Sequence, residues 1–195
     1  SQRIGWGGSV VNEGTIENAL IYRTSPVNSG IIQANGSGMT LDLGGQTVVN
    51  TGGKIRAING GIFGFAYCTV SGGEWSTDST STMYTTGKSY STALNNVTAT
   101  NNGTHTVSMT SWASATRTLA LNLNAGTTYD NYGTVNVRVI ANDPSSGTKT
   151  TRMVAASGAS FRNHATGKLN VSQTQTSNPN GAVVPVYFEL NASGF

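Results

Sequence analysis

Short apolar runs, each closed by Asn, Gly or both, recur at close spacing through the first third of the chain. They read Val10-Val11-Asn12-Glu13-Gly14, Gly30-Ile31-Ile32-Gln33-Ala34-Asn35-Gly36, Val48-Val49-Asn50-Thr51-Gly52-Gly53 and Ile55-Arg56-Ala57-Ile58-Asn59-Gly60-Gly61. Runs this short cannot bury a core alone and must stack on others of their kind. Asn and Gly suit the corners between them, because both tolerate φ > 0. The spacing fits a right-handed β-helix, with a meandering β-sandwich as the competing arrangement. In a β-helix, alternate residues point inward, and the expected inward set is Ile16, Ile31, Leu41, Leu43, Val48, Ile55 and Ile58.

Composition agrees with an all-β chain. Of 195 residues, 25 are Gly and only 10% are charged, against about 25% charged in an ordinary soluble domain. A chain rich in Gly, Ser, Thr and Asn is a poor helix former. Recurrent Val, Ile, Tyr, Phe and Trp with a net charge of only +3 argue against disorder. No apolar run reaches the roughly 20 residues of a transmembrane helix, and Gly shows no collagen period. The basic residues are scattered from Arg3 to Lys168 without a stripe, so no nucleic-acid partner is expected. The start, Ser1-Gln2-Arg3, has neither Met nor an apolar signal stretch, and reads as a processed product or a fragment of something longer.

The texture changes along the chain. Residues 1–73 are expected to form β-helix coils. Residues 74–106, with the polar run Glu74-Trp75-Ser76-Thr77-Asp78, read as a connector with short strands. Residues 107–195 carry longer alternating segments, such as Thr118-Leu119-Ala120-Leu121-Asn122-Leu123 and Thr134-Val135-Asn136-Val137-Arg138-Val139. Separated by turn-rich links, these predict a C-terminal antiparallel β-sandwich of jelly-roll type.

This layout resembles the C-terminal part of bacteriophage tailspike and tail-fibre proteins. The resemblance is carried by "GTIENALIY", "SGIIQANGSG" and "GGKIRAINGGIFG" in the first zone. In the last it is carried by "GTVNVRVIANDPSSGTKTTRMVAASG" and "GAVVPVYFELNASG". The first set is also similar to coils of bacterial surface adhesins. The tailspike resemblance implies a β-helical shaft with a terminal sandwich, a homotrimer and a place in the virion tail. It also implies attachment to a bacterial surface polysaccharide, O-antigen or capsule, without membrane insertion. Two alternatives remain open: a fragment of a polysaccharide depolymerase, lyase or glycoside hydrolase, and an adhesin segment.

The sequence offers little for catalysis. Glu13 with Glu17, and Glu74 with Asp78, are the close carboxylate pairs, but four residues of extended strand separate each pair by about 13 Å, beyond the catalytic range unless a turn intervenes. No metal-ligand spacing occurs, and no cofactor or metal is expected. Cys68 lies in an apolar run and reads as a core thiol rather than a nucleophile; the two histidines, His105 and His164, are remote in sequence. Arg162-Asn163-His164 reads as a polar loop. Sugar binding asks only for an aromatic ring beside hydrogen-bonding groups. Three places fit. They are the loop Tyr129-Asp130-Asn131-Tyr132, Trp75 with Tyr84 and Tyr90, and Trp112 near Arg117. The loop aromatics could equally pack back on the protein, and Trp75 could anchor a junction between zones.

Overall fold

The computed structural model describes residues 2–5, 9–42, 44–87, 90–110, 117–141, 149–175 and 186–190. The chain winds through them as successive coils of three strands. The first coil holds β1 (Gln2–Ile4), β2 (Val11–Asn12) and β3 (Thr15–Glu17); the second β4 (Ala19–Tyr22), β5 (Val27–Asn28) and β6 (Ile31–Asn35). The third holds β7 (Gly38–Asp42), β8 (Thr47–Val49) and β9 (Lys54–Ile58); the fourth β10 (Ile62–Ala66), β11 (Thr69–Ser71) and β12 (Glu74–Thr77). The fifth holds β13 (Thr82–Gly87), β14 (Thr92–Asn95) and β15 (Thr98–Asn101); the sixth β16 (Thr104–Thr110), β17 (Arg117–Leu123) and β18 (Thr128–Asn131). Then come β19 (Thr134–Ala141), β20 (Lys149–Ala155) and β21 (Ser160–Asn163), and finally β22 (Lys168–Gln175) and β23 (Val186–Leu190). First strands of all coils form sheet A, second strands sheet B and third strands sheet C. Every pairing among the described residues is parallel, as in β10 on β7, β17 on β14 and β18 on β15.

Each strand has one face inside the coil and one outside, so its side chains alternate between core and surface. Sheet C shows the consequence. Its inward column runs Ile32, Ile55, Trp75, Ala99, Tyr129, Phe161, in register from coil to coil. The small Ala99 leaves room for the Trp75 and Tyr129 rings to approach to 5.7 Å. Tyr129 then stacks on Phe161 at 5.4 Å, and Phe161 meets Phe188 of sheet B edge-on at 4.8 Å. Each such side chain contributes about 1.5–3 kcal/mol of burial.

Asparagine ladders hold the corners. At the turn from sheet B to sheet C, the Asn12 amide donates to Asn28 Oδ1 and the Asn28 amide to Asn50 Oδ1, each at 2.6 Å. At the turn from sheet C to sheet A, the Thr77 hydroxyl donates to Asn101 Oδ1 (2.7 Å), Asn101 to Asn131 (2.8 Å) and Asn131 to Asn163 (2.7 Å). The same side chains donate to carbonyls, Asn101 to Thr134 O and Asn131 to Lys168 O, both at 3.1 Å. A buried amide left without these partners would cost about 1–3 kcal/mol, which explains why Asn recurs at the corners.

Two sequence expectations are corrected here. The antiparallel sandwich expected over residues 107–195 is not what forms: strands β17 to β23 continue the same three parallel sheets. The stretch 74–106 expected as a connector supplies β12 to β15 and the start of β16 to those sheets. The long alternating segments arise because the coil widens. Gln2 lies beside Ala19, one coil of 17 residues, whereas Thr134 lies beside Lys168, one coil of 34. The added length goes into sheets A and B at their shared corner, where Val139 of β19 packs on Val186 of β23. Sheet C keeps four-residue strands to the end, in β12, β15, β18 and β21. A half-buried strand alternates in the same way whether its neighbour runs parallel or antiparallel, so the pattern did not separate the two folds.

Candidate functional site

The segment 129–132 is a strand and a corner rather than a loop, and period two divides its side chains. Tyr129 and Asn131 point inward, and both are completely buried. Tyr129 sits between Trp75 and Phe161, with its hydroxyl 2.8 Å from His105 Nδ1. His105 Nε2 in turn lies 3.0 Å from the Thr85 hydroxyl. Burial drives the His105 pKa down to about 3 and the Tyr129 pKa well above the usual phenol value. The ring is therefore neutral, and the two hydroxyls can each donate or accept to match its tautomer. Asn131 is a rung of the corner ladder described above.

Trp75 is equally enclosed, 1% exposed, and tilted against His105 at 5.0 Å. Trp75, Tyr129 and Asn131 therefore cannot present their faces to a ligand in solvent, and their expected place in a sugar site is corrected to the core. Tyr84 and Tyr90, grouped with Trp75 in the sequence, are separated from it. Tyr84 faces outward from sheet A, while Tyr90 stacks on Tyr67 at 4.2 Å where sheet A turns to sheet B. Trp112 lies outside the described residues.

Asp130 and Tyr132 do reach the surface, and the coil repeat brings them two partners that the linear sequence does not pair. Register sets Asp130 beside Arg162. The Arg162 guanidinium donates from Nε to Asp130 Oδ1 (2.8 Å) and from Nη2 to Oδ2 (2.9 Å). His164 Nε2 approaches the same Oδ1 at 2.7 Å. The His164 ring lies flat on Tyr132, centroids 3.9 Å apart and planes within 9°. The Thr166 hydroxyl donates to the Tyr132 carbonyl at 2.9 Å and ties down the corner. Tyr132 remains 42% exposed.

The cluster is a surface of aromatic edge, phenol and guanidinium, held by mutual contacts. Of the five N–H donors of an arginine, Arg162 uses two on Asp130, which leaves three for a ligand. Arg162 and His164 were missed as partners because 32 residues separate Asp130 from Arg162. Only the coil length, legible from the recurring Asn131-Tyr132-Gly133 and Asn101-Asn102-Gly103 corners, relates them.

The carboxylate pairs have other work. Glu17 accepts from Gln33 and Asn35, and hydrogen bonds from Asn35 and then Gln33 hold its pKa below the usual value. Glu74 pairs with Lys54 at 3.0 Å. Asp78 accepts from the Asn59 backbone N–H of the preceding coil at 2.6 Å, bracing the two coils, and from the Thr80 hydroxyl of its own corner at 2.8 Å. Among the described residues no cluster of three His, Cys, Asp or Glu side chains could hold a metal ion.

Cys68 is buried, and its burial pushes the thiol up to about 12. A thiol-specific reagent at pH 8 should therefore leave the native protein unlabelled over hours and label one equivalent in denaturant. Rapid labelling of the native state would place Cys68 at the surface instead.

No family model, no curated protein and no solved structure matches this chain.

Proposed function

We propose that this chain is a solenoid attachment module of the bacteriophage tailspike or tail-fibre kind. It grips a bacterial surface polysaccharide, O-antigen or capsule, and works as a homotrimer at the virion tail. The observation that carries this reading is the outward cluster of Tyr132 stacked on His164 beside the Asp130–Arg162 pair. An aromatic side chain next to fixed hydrogen-bond donors suits a ligand made of alternating apolar ring faces and hydroxyls. Two further features support it. Thr, Ser and Asn are the commonest residues on the outer rows of the sheets, and their hydroxyls and amides suit hydroxyl-rich ligands. The corner ladders fix these rows relative to one another, so little side-chain freedom is lost on binding.

The test is binding of the chain to a panel of purified O-antigens and capsular polysaccharides, with light scattering on the same sample. A mass three times that of one chain is expected. Tyr132→Ala and Arg162→Ala are each expected to weaken binding about tenfold, equivalent to about 1.4 kcal/mol. Binding to no polysaccharide, or binding by both variants as tight as that of the unsubstituted chain, would overturn the reading.

A further inference from the structure

The outer face of sheet A carries a trough that the Tyr132 cluster does not touch. Register lines up Leu20, Thr40, Gly64, Tyr84 and Thr106 in one outward row across the strands. Beside it runs Tyr22, Asp42 and Ala66. The two central strands, β7 and β10, thus offer a floor of small side chains between tyrosines on β4 and β13. These walls stand three strand spacings apart, about 14 Å. A hollow of about 260 Å³ opens over Gly64, lined by Thr40, Ile62, Ala66, Tyr84 and Thr86. A second, of about 360 Å³, adjoins it between Arg3, Leu20, Tyr22 and Asp42.

The two walls differ. The Arg23 guanidinium covers the Tyr22 ring at 5.0 Å from its centroid. Among the described residues no ring stacks on Tyr84. Beyond Tyr84, Thr106 and Ser108 face outward yet are 3% and 6% exposed. The wall is therefore backed on that side, and its open side is toward Gly64. Among the described residues no charged side chain lines the hollow over Gly64, whose polar groups there are the threonine hydroxyls, the Tyr84 phenol and the backbone. Its volume lies just under the range of drug-sized pockets, which suits a single ring.

We propose that this trough seats one neutral hexopyranose unit, with the apolar face of the sugar against Tyr84 and its hydroxyls toward Thr40 and Thr86. Gly64 is the enabling residue, since a side chain there would occupy the space of the sugar. The inference rests on the polysaccharide-binding reading and adds a subsite separate from Tyr132.

Saturation-transfer NMR of the full chain with methyl hexopyranosides and methyl N-acetylhexosaminides tests it. Transfer is expected to favour protons of one ring face. Tyr84→Ala and Gly64→Val should each reduce it about fivefold or more, while Gly14→Ala, at an open corner away from sheet A, leaves it unchanged. Gly64 lies in an ordinary strand conformation. A Cβ there would meet Thr40 Oγ1 at 3.2 Å, a side-chain atom free to rotate, so valine fills the hollow without straining the strand. Should Gly64→Val lose its β-sheet circular dichroism, Tyr84→Ala decides alone. No transfer to any glycoside, or undiminished transfer in the variants, overturns the proposal. Polysaccharide binding lost in Tyr132→Ala but kept in both trough variants overturns the trough and leaves the attachment reading standing. Glycoside transfer abolished by Gly64→Val, with no polysaccharide bound, supports the trough and overturns the attachment reading.

Discussion

Lowering the pH from 6.5 to 3 should strip about 4 kcal/mol from the stability of the fold through His105 alone. The ring is completely enclosed and its folded pKa is about 3, against 6.5 for a free histidine. Above pH 6.5 the ring is neutral in both states and contributes no pH dependence. Between 6.5 and 3 the unfolded chain takes up a proton that the folded chain excludes, so stability falls as pH falls. The full difference of 3.5 pH units corresponds to about 5 kcal/mol, reached only below pH 3, a large part of the 5–15 kcal/mol typical of a domain. Carboxylates with lowered folded pKa, such as Glu17, act in the same direction but only below about pH 4.5. The window from 6.5 to 4.5 therefore isolates the histidine, with an expected loss of about 2 kcal/mol. Urea unfolding at pH 7, 6 and 5 measures it. His105→Gln keeps hydrogen-bonding groups near Thr85 and Tyr129 and should show little slope across that window. His164 is the same in both proteins, so the difference between them reports His105. Equal slopes in the two proteins would assign the acid sensitivity to some other group.

The coil itself was legible in the sequence because its two requirements are local. Strands of three to five residues need frequent corners, and the corners need Asn or Gly. The phase of the strands was less legible where both phases are apolar. In Ile31-Ile32-Gln33-Ala34 the inward residues are Ile32 and Ala34, and in Ile55-Arg56-Ala57-Ile58 they are Ile55 and Ala57. The expected inward Ile31 and Ile58 are thus one residue out of phase, the slip that exchanges every side chain between faces. Leu41, Val48 and Ile55 do lie in the core, 0% exposed. The later coils were hidden by their length. Once strands of sheets A and B reach seven or eight residues, they look like sandwich strands. Only the recurring corner Asn at Asn101, Asn131 and Asn163, followed by Gly103, Gly133 and, two residues later, Gly167, betrays the repeat.

The same repeat explains what happened to the expected site. Aromatic and amide residues close in sequence invite grouping into one site, but a strand sends neighbours to opposite faces. Tyr129 and Asn131 went to the core, whereas Asp130 stayed outside. What assembles around Asp130 comes from the next coil, at a distance set by coil length and not by any motif. Surface sites on a solenoid are columns across coils, so they become legible only when the register is known.

The column of glycines at the turn from sheet C to sheet A carries the second large effect, because there the coils touch backbone to backbone. A Cβ on Gly133 would lie 2.1 Å from the Gly103 carbonyl oxygen and 2.7 Å from the Asn102 carbonyl carbon. Neither atom belongs to a side chain that could rotate away. Gly61, Gly103 and Gly167 meet carbonyl oxygens of the preceding coil in the same way, at 2.2–2.3 Å. The approach is needed to close the corner: Gly133 N–H donates to Asn101 O at 2.9 Å and Thr134 N–H to Gly103 O at 2.8 Å. Gly133→Ala must therefore separate two coils and loosen these bonds and the adjoining Asn101–Asn131 rung. The expected loss is about 3 kcal/mol or more, at the upper end of overpacking effects. Two alanine substitutions serve as contrast. Gly14 has nothing within 4 Å of its would-be Cβ and no positive φ, so Gly14→Ala should be neutral or stabilise by up to about 1 kcal/mol. Gly52 has equal space but a φ of +77°, so Gly52→Ala should cost about 1 kcal/mol from backbone conformation alone. Urea midpoints for the three variants should thus rank Gly14→Ala above Gly52→Ala above Gly133→Ala. If Gly133→Ala proved as stable as Gly14→Ala, the coils would not be stacked as closely as the corner ladder demands.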